Sequence, residues 1–339
     1  MDIKKLRPVA IWLFVGAAMI VVQILLGGLT RLTNSGLSIT EWKPILGALP
    51  PMNNQDWQAA FENYKQIAQY KYIHNYFTLS DFKFIYFWEW LHRNWARFMG
   101  LVFIIPFVYF IYKKIIDRSL FWPMVILFLL GGLQGLVGWI MVSSGVGTDL
   151  VYVDHIRLAV HFIAALILLV YVVWFALKLT VPDSKKENNK PIKNYTIALL
   201  VLLTIQLIYG AFMAGTHAAK SAITWPGING RLLPNMEPDG FLHNLLAIQF
   251  VHRSLAFLLT VLIVWFTIKL YKQSKAGVLY AWRNVPLLVS LIQAALGILT
   301  LTQYLTPSKL WLAISHQFVG MLLLVCLVVI YFYSAKKRI

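Results

Sequence analysis

Long apolar runs recur along the 339-residue chain and are separated by shorter polar segments. A run of about 20 apolar residues is long enough to cross a bilayer as a helix. The pattern predicts eight such runs, at residues 8–29, 84–112, 121–142, 156–177, 195–215, 244–268, 285–304 and 311–333. We therefore expect an all-α integral membrane protein with eight transmembrane helices and no separate soluble domain.

The charged residues indicate how these helices are oriented. Hydrophobic residues make up 59% of the chain and charged residues only 13%, with a net charge of +17. The basic residues form no single patch, so they do not indicate nucleic-acid binding. They cluster instead on alternate connections: Lys4, Lys5 and Arg7; Lys113, Lys114 and Arg118; Lys178, Lys185, Lys186, Lys190 and Lys193; Lys269, Lys272, Lys275 and Arg283; Lys336, Lys337 and Arg338. Because basic residues favour the cytoplasmic side, both termini are predicted to be cytoplasmic.

The opposite, outer side carries the long connections. Outer loop 1, at about 30–83, contains an amphipathic stretch from Gln55 to Tyr70. Its apolar residues recur at helical spacing: Trp57, Ala60, Phe61, Tyr64 and Ile67. This stretch is predicted to be a helix lying flat at the membrane surface. Outer loop 5, at about 216–243, is rich in Gly and Pro and shows no long helical pattern.

A repeated arrangement of polar residues runs through the apolar segments. Each odd-numbered segment has a glutamine four residues before a glycine: Gln23/Gly27, Gln134/Gly138, Gln206/Gly210 and Gln293/Gly297. Each even-numbered segment has a histidine near its outer end: His92, His161, His252 and His316. The sequences HRNWARF and HRSLAFL also match in the second and sixth segments. We interpret residues 1–180 and 190–339 as tandem four-helix bundles related by a parallel internal repeat.

The four repeated histidines are the strongest candidates for a cofactor site. Each lies seven to nine residues inside the outer border, a depth of roughly 10–14 Å for a helix. Two imidazoles per half are what two six-coordinate hemes require, and helix bundles build such sites from inward-facing residues. A proton relay, or histidines that only hydrogen-bond neighbouring helices, are the alternatives. Zinc is disfavoured because no cysteine or carboxylate cluster completes a tetrahedral set. The other histidines, His74, His155, His217 and His243, are predicted to be surface or loop residues.

The two halves differ in one charged residue. Glu89 lies three residues before His92, whereas Gln249 lies three before His252. Ionisable groups at membrane depth are costly and usually functional. We therefore expect the reaction site in the first half and a fixed heme in the second. The alternative is that Glu89 only pairs with Arg93, one helical turn away.

Four arginines near the outer ends of the helices are candidates for binding heme propionates: Arg93, Arg253, Arg31 and Arg97. Arginine binds carboxylates with two parallel hydrogen bonds. The alternative is that these side chains extend to lipid headgroups. The Gln/Gly pairs predict close helix packing with an interhelical hydrogen bond. Small residues would also leave room for a flat heme.

Several stretches of the chain resemble the heme A synthase family, in the branch shared by mitochondria and many bacteria. They are GGLTRLTNSGLSITEWKPILGALPP at 27–51, FWEWLHRNWARFMG at 87–100, RLAVHF around His161, QFVHRSLAF at 249–257 and ISHQFVG at 314–320. The resemblance covers essentially the whole chain. Some bacterial members carry a cysteine pair in the first outer loop, which this chain lacks because Cys326 is its single cysteine.

The resemblance implies an enzyme that oxidises the C8 methyl group of heme O to a formyl group, through alcohol and gem-diol stages, giving heme A for cytochrome aa3-type oxidases. It implies that His92 and His161 flank the substrate heme, that His252 and His316 ligate a permanent heme b, and that Glu89 acts in catalysis. It also implies the bacterial inner membrane, with the heme sites toward the outer side. Expected partners are heme O, membrane lipid, the farnesyl transferase that forms heme O, and an electron acceptor, with a homo-oligomer left open. The rival is a di-heme electron-transfer protein of the cytochrome b type.

Overall fold

The computed structural model describes residues 3–41, 46–234 and 240–335. Its α-helices are α1 (Ile3–Leu32), α2 (Asn54–Lys65), α3 (Leu79–Tyr112), α4 (Arg118–Val142), α5 (His155–Thr180), α6 (Lys190–Gly215), α7 (Gly240–His243), α8 (Leu245–Gln273), α9 (Gly277–Ala281), α10 (Val285–Thr302) and α11 (Lys309–Ser334). Single 3-10 turns occupy Leu46–Ala48, Asp183–Lys185 and Ala218–Ser221, and a π-helical turn occupies Tyr70–His74. No β-strand occurs within these described ranges.

Eight helices in the described part of the chain are long and apolar enough to cross a membrane. They are α1, α3, α4, α5, α6, α8, the stretch from α9 through α10, and α11. All eight coincide with the predicted apolar runs, and most begin or end a few residues beyond them. The prediction of an all-α protein with eight candidate membrane spans is confirmed. Arg31 lies in the last turn of α1, because this helix continues three residues beyond the predicted apolar run.

Contacts within the chain define two compact units. One consists of Ala18–Leu168, and the other of Met1–Ala17 together with Leu169–Ile339. In the second of these units, α6 packs against α8 and α11, and α10 packs against α8 and α11. The basic residues 336–338 lie outside the described residues. The tandem halves 1–180 and 190–339 stay a prediction.

Outer loop 1 folds onto the start of α3 in the unit Ala18–Leu168. Thr78 caps α3: its side chain accepts a hydrogen bond from the Asp81 backbone, while the Asp81 carboxylate accepts one from the Thr78 backbone N–H. Such a reciprocal capping box satisfies two N–H groups that a helix terminus otherwise leaves unpaired. Phe61 of α2 stacks on Phe82 with ring centroids 5.0 Å apart. Outer loop 1 therefore packs against the capped N-terminal end of α3.

The amphipathic stretch in outer loop 1 differs from its prediction in two respects. Helix α2 ends at Lys65 rather than Tyr70. Its apolar face is buried against protein, in a cluster with Leu37, Phe82 and Ile85. Burying Phe61 and Tyr64 against the start of α3 removes this apolar surface from water. The position of the helix at the membrane surface stays a prediction.

His74 is a loop residue as predicted, but it is buried rather than on the surface. Its side chain is 4% exposed and stacks on the ring of Phe77, with centroids 4.0 Å apart. The Tyr64 hydroxyl lies 2.6 Å from Nδ1 of His74 and donates its proton to Oε1 of Gln69, so the imidazole donates to the tyrosine. Burial lowers the pKa of His74 because it disfavours the charged ring. The residue therefore helps to hold the loop together.

Candidate functional site

Each of the four repeated histidines lies against the glycine of a Gln/Gly pair on a neighbouring helix. A Cβ atom built on the glycine would come within van der Waals distance of the imidazole ring, or closer. The separations are 3.2 Å from Gly27 to Nε2 of His92, 2.8 Å from Gly138 to Cε1 of His161, 3.4 Å from Gly210 to Cε1 of His252 and 2.9 Å from Gly297 to Cε1 of His316. The glycines therefore make the space that the rings occupy.

Three of the glutamines also contact the imidazoles. Nε2 of Gln134 lies 3.1 Å from Nδ1 of His161 and donates to the His161 carbonyl at 2.9 Å. Nε2 of Gln206 lies 3.2 Å from Nδ1 of His252. Nε2 of Gln293 lies 3.4 Å from Nε2 of His316, whose Nδ1 is 3.1 Å from the backbone carbonyl of Gln293. The predicted interhelical hydrogen bonds are thus present at these three pairs.

The imidazoles come together in twos, one pair in each unit. The ring centroids of His252 and His316 are 6.4 Å apart, and the ring planes make an angle of 73°. In the unit Ala18–Leu168, His92 and His161 are close enough for their charges to interact. All four histidines are half-buried residues.

The spacing of His252 and His316 fits a heme between the two rings. A separation of 6.4 Å leaves room for one metal ion bound to a nitrogen of each ring at about 2.0–2.1 Å. Across the described residues no three His, Cys, Asp or Glu side chains converge as a protein-only metal site. Two imidazoles therefore suit a metal whose remaining ligands come from a macrocycle.

The amide oxygens of all four repeated glutamines are buried without a hydrogen-bond partner: Gln23, Gln134, Gln206 and Gln293.

Among the described residues, Glu89 is the one acidic side chain that is buried. Its side chain is 3% exposed, and each of its hydrogen-bond partners is a donor. Oε2 accepts from the Ser38 hydroxyl at 2.7 Å and from the Ile39 backbone N–H at 2.9 Å, and Oε1 accepts from Arg93 at 2.6 Å. Three donors match a carboxylate, since an ionised acid can only accept. The pairing with Arg93 is real, but it is only one part of this network.

Gln249 occupies the corresponding place in the other unit without carrying a charge. It is fully buried, donates from Nε2 to the Ala218 carbonyl at 2.9 Å, and accepts from Arg253 through Oε1. Outer loop 1 thus presents hydrogen-bond donors to Glu89, whereas outer loop 5 presents an acceptor to Gln249. The buried side chain three residues before the histidine is thus charged in one site and neutral in the other, and each outer loop supplies the hydrogen-bond partners that it needs.

The arginines beside the histidines are engaged with the outer loops. Arg93 donates to the backbone carbonyls of Ile39 at 2.9 Å and Glu41 at 3.2 Å. Arg253 donates to three loop carbonyls, those of Ala222 at 3.2 Å, Thr224 at 2.9 Å and Gly227 at 3.2 Å. Arg97 donates to the Asn94 side chain at 3.0 Å. Both loops are therefore fixed to the helix that carries the histidine. Propionate binding by these arginines and by Arg31 stays a prediction.

The other three histidines lie at element boundaries, outside the two imidazole pairs. His155 begins α5, His217 precedes the 3-10 turn at Ala218–Ser221, and His243 ends α7. Sequence reasoning missed Ser38, the loop residue that hydrogen-bonds Glu89. The only signal for it is its place in the loop stretch that follows α1. Residues 42–45 and 235–239 of the two outer loops lie outside the described residues.

Comparison with known proteins places this arrangement in a family. Residues 10–328 match the COX15-CtaA family model, described as cytochrome oxidase assembly protein. A protein of Flavobacterium psychrophilum named heme A synthase is 40% identical over 331 residues, covering 95% of this chain and 96% of the relative. Proteins of the same name from Nitrosomonas eutropha and a Caulobacter strain are 40% and 41% identical, covering 91% and 92% of this chain and 89% and 91% of the relatives. The chain therefore belongs to the COX15-CtaA family of cytochrome oxidase assembly proteins.

Proposed function

We propose that this protein is a heme A synthase, an enzyme that oxidises the C8 methyl group of heme O to a formyl group. The family match and the names of its relatives support this activity. The observation that carries the proposal is chemical: two matched imidazole sites differ by a single buried charge, Glu89 in one and Gln249 in the other. An electron carrier with two equivalent hemes would not require that charge.

The substrate site is assigned to His92 and His161. The imidazoles would hold the iron of heme O, and Glu89 lies one helical turn from His92 on the same face of α3. Because Gly27 and Gly138 lack side chains, the rings can approach the neighbouring helices closely. The protein's contribution is to place the substrate beside a fixed carboxylate in an apolar surrounding.

The resident cofactor, heme b, is assigned to His252 and His316. Their ring separation and the glycines Gly210 and Gly297 fit a metal held between two imidazoles. When bound, a heme supplies one-electron redox chemistry that amino-acid side chains lack. These residues would hold and orient it, and Gln249 keeps the site free of an added negative charge.

The hydrogen bonds of Glu89 favour an electrostatic role. Its carboxylate is fixed by Ser38, Ile39 and Arg93, all of which donate to it. A group held in this way is preorganised as a stationary negative charge, and such charges stabilise positive charge that develops during a reaction. We therefore assign Glu89 the role of stabilising positive charge on the substrate as its methyl group is oxidised.

The wider setting follows from the same assignment. The matched Gln, Gly and His contacts support two tandem halves, 1–180 and 190–339, related by a parallel repeat. The distribution of Lys and Arg supports cytoplasmic termini, and therefore heme sites toward the outer side of the bacterial inner membrane. Heme O is the substrate. The farnesyl transferase that makes it, an electron acceptor and a second copy of the chain are the proposed partners.

Replacing Gly138 by alanine should reduce heme binding in the first half. The added methyl group would lie 2.8 Å from Cε1 of His161, and overpacking of this kind costs about 1–3 kcal/mol. Gly135→Ala, one turn earlier on α4, is the matched control because a Cβ there meets nothing within 4 Å. Heme content per chain, measured on the purified proteins, should fall for Gly138→Ala only. Equal heme content in the two variants would contradict the close contact.

The activity can be tested in a bacterium that makes heme O but no heme A. Membranes from cells that express this chain should yield heme A on extraction and mass spectrometry, while cells with an empty vector should yield heme O alone. A purified, heme-containing protein whose host accumulates no heme A would overturn the assignment and favour the electron-transfer alternative.

A further inference from the structure

The helices α3 and α4 contact each other over only part of their length. Two pairs of stacked rings join them, Phe107 with Phe121 at a centroid distance of 6.0 Å and Phe103 with Phe128 at 5.9 Å. The backbones of the two helices otherwise approach each other at few points. Both ring pairs lie on the side of the helices that is remote from His92, which begins the third turn of α3. The two helices are therefore joined mainly at the end that lies away from the imidazoles.

On the histidine side of the Phe103–Phe128 stack, glycines occupy the facing positions of the two helices. Phe121, Phe128 and Gly135 recur every seven residues and therefore lie on one face of α4. Gly100 lies three residues before Phe103, on the face of α3 that carries this ring. Among the described residues, a Cβ atom built on Gly100 or on Gly135 meets nothing within 4 Å. A cleft therefore separates α3 from α4 here, and the stacked rings close one end of it.

The corresponding helices of the other unit have no matching glycines. Thr260 stands at the position of Gly100, eight residues after the histidine, and Ala294 stands at the position of Gly135, directly after the glutamine. Helices α8 and α10 also pack more extensively against each other than α3 and α4 do. The open cleft is thus a second difference between the two heme sites, independent of the charge of Glu89.

The cleft begins one helical turn from the site assigned to heme O. Gly135 lies three residues, about 4.5 Å along the helix, from Gly138, whose built Cβ is 2.8 Å from Cε1 of His161. Gln134, which precedes Gly135, brings its amide nitrogen to 3.1 Å from Nδ1 of the same histidine. Leu136, which follows Gly135, is apolar and 51% exposed. A chain that leaves the heme along α4 would therefore enter an apolar cleft that is open to the surrounding lipid.

We propose that this cleft binds the isoprenoid chain of heme O, and that it lets the first half distinguish heme O from heme b. The inference rests on the proposed function, in which heme O is the substrate. Heme b has a vinyl group where heme O carries this chain, so a site for heme b needs no such cleft. Lipid covers an apolar chain as well as protein does, so the selectivity arises from close van der Waals contact between the chain and the two helices.

Closing the cleft should change which heme the first half holds. Gly135→Phe adds a third ring in line with Phe121 and Phe128, whereas the methyl group of an alanine at this position leaves the cleft open. In a host that makes both hemes, purified Gly135→Phe should contain two molecules of heme b per chain and no heme O. Its heme A output should fall at least about 10-fold, the range that a poor fit in an apolar pocket costs.

Leu133→Phe is the matched control for this variant. Leu133 lies at nearly the same depth as Gly135 but on the opposite side of α4, since two residues of a helix are about 200° apart. Its side chain is 52% exposed, so the exchange introduces the same ring without entering the cleft. Leu133→Phe should keep heme O and its activity. Retention of heme O by Gly135→Phe, or an equal loss in Leu133→Phe, would overturn the proposal.

A second variant closes the cleft from the other helix. Gly100→Leu should show the same exchange of heme O for heme b, and it decides the question if the ring at Gly135 leaves the first half without any heme. The second-half heme b, counted in the same extract, reports that each variant is folded. A change of oligomeric state with unchanged hemes in both variants would identify the cleft as a contact between copies of the chain and would also overturn the proposal.

The outcomes separate this inference from the proposed function. Unsubstituted protein that binds heme O but forms no heme A removes the synthase assignment, and the cleft is still decided by the ratio of heme O to heme b in the variants. Unsubstituted protein that binds no heme O overturns both. Heme A production together with unchanged hemes in Gly135→Phe and Gly100→Leu overturns the inference alone.

Discussion

Replacing Glu89 by glutamine is expected to reduce heme A formation by at least about 100-fold, the range in which a single charged catalytic group contributes. The amide keeps the shape of the side chain but offers one acceptor oxygen to three donors, Ser38, Ile39 and Arg93. It also removes the negative charge beside the substrate. The extracted hemes should be heme O and heme b, with heme b undiminished. Glu89→Ala should give the same result.

Two further variants separate the charge from the anchoring of the loop. Ser38→Ala removes one hydrogen bond to Glu89 and keeps the carboxylate, so it should retain most of its activity. A loss as large as that of Glu89→Gln would mean that Glu89 only holds outer loop 1. Gln249→Glu places a carboxylate against the Ala218 carbonyl and should not create a second reaction site. Heme A output at the unsubstituted level from Glu89→Gln would remove Glu89 from the mechanism.

Substituting either histidine of the second half should abolish binding of the permanent heme. His252→Ala and His316→Ala each remove one of the two imidazoles that lie 6.4 Å apart. The heme iron would then have one protein ligand instead of two. We expect one heme fewer per chain, with heme O still bound in the first half. Heme A formation should fall to background, since the resident redox group is lost. Pyridine hemochrome spectra of the purified variants, with protein quantified in parallel, measure this.

A histidine outside the imidazole pair provides the control for these variants. His243 and His217 lie in the outer loop of the same unit, away from the imidazole pair in the chain. His243→Ala should keep both hemes and its spectrum. Full heme content in His252→Ala or His316→Ala would contradict the ligand assignment for the second half.

The parts of the molecule that could be predicted from the sequence are those governed by periodicity. Eight apolar runs fix eight helices because a span must satisfy its backbone hydrogen bonds internally. Each Gln lies four residues before its Gly, and each His lies at a similar depth from the outer border, so their contacts follow once the helices are neighbours. The contacts of Gly138 with His161 and of Gly297 with His316 could therefore be predicted from the sequence.

The parts that could not be predicted depend on irregular backbone. Ser38 reaches Glu89 only because outer loop 1 folds back onto α3, and no local pattern encodes that path. The burial of His74 depends likewise on α2 packing against protein, since an amphipathic helix shows which face is apolar but not what covers it.

The most direct test of the account is the heme content of the unsubstituted protein. Purified chain from a heme O-producing host should contain two hemes per chain, and mass spectrometry of the extract should identify heme b together with heme O or heme A. The oxidised protein should give low-spin spectra with two nitrogen ligands to each iron. A colourless protein, or one with a single heme ligated by residues other than these histidines, would contradict the account.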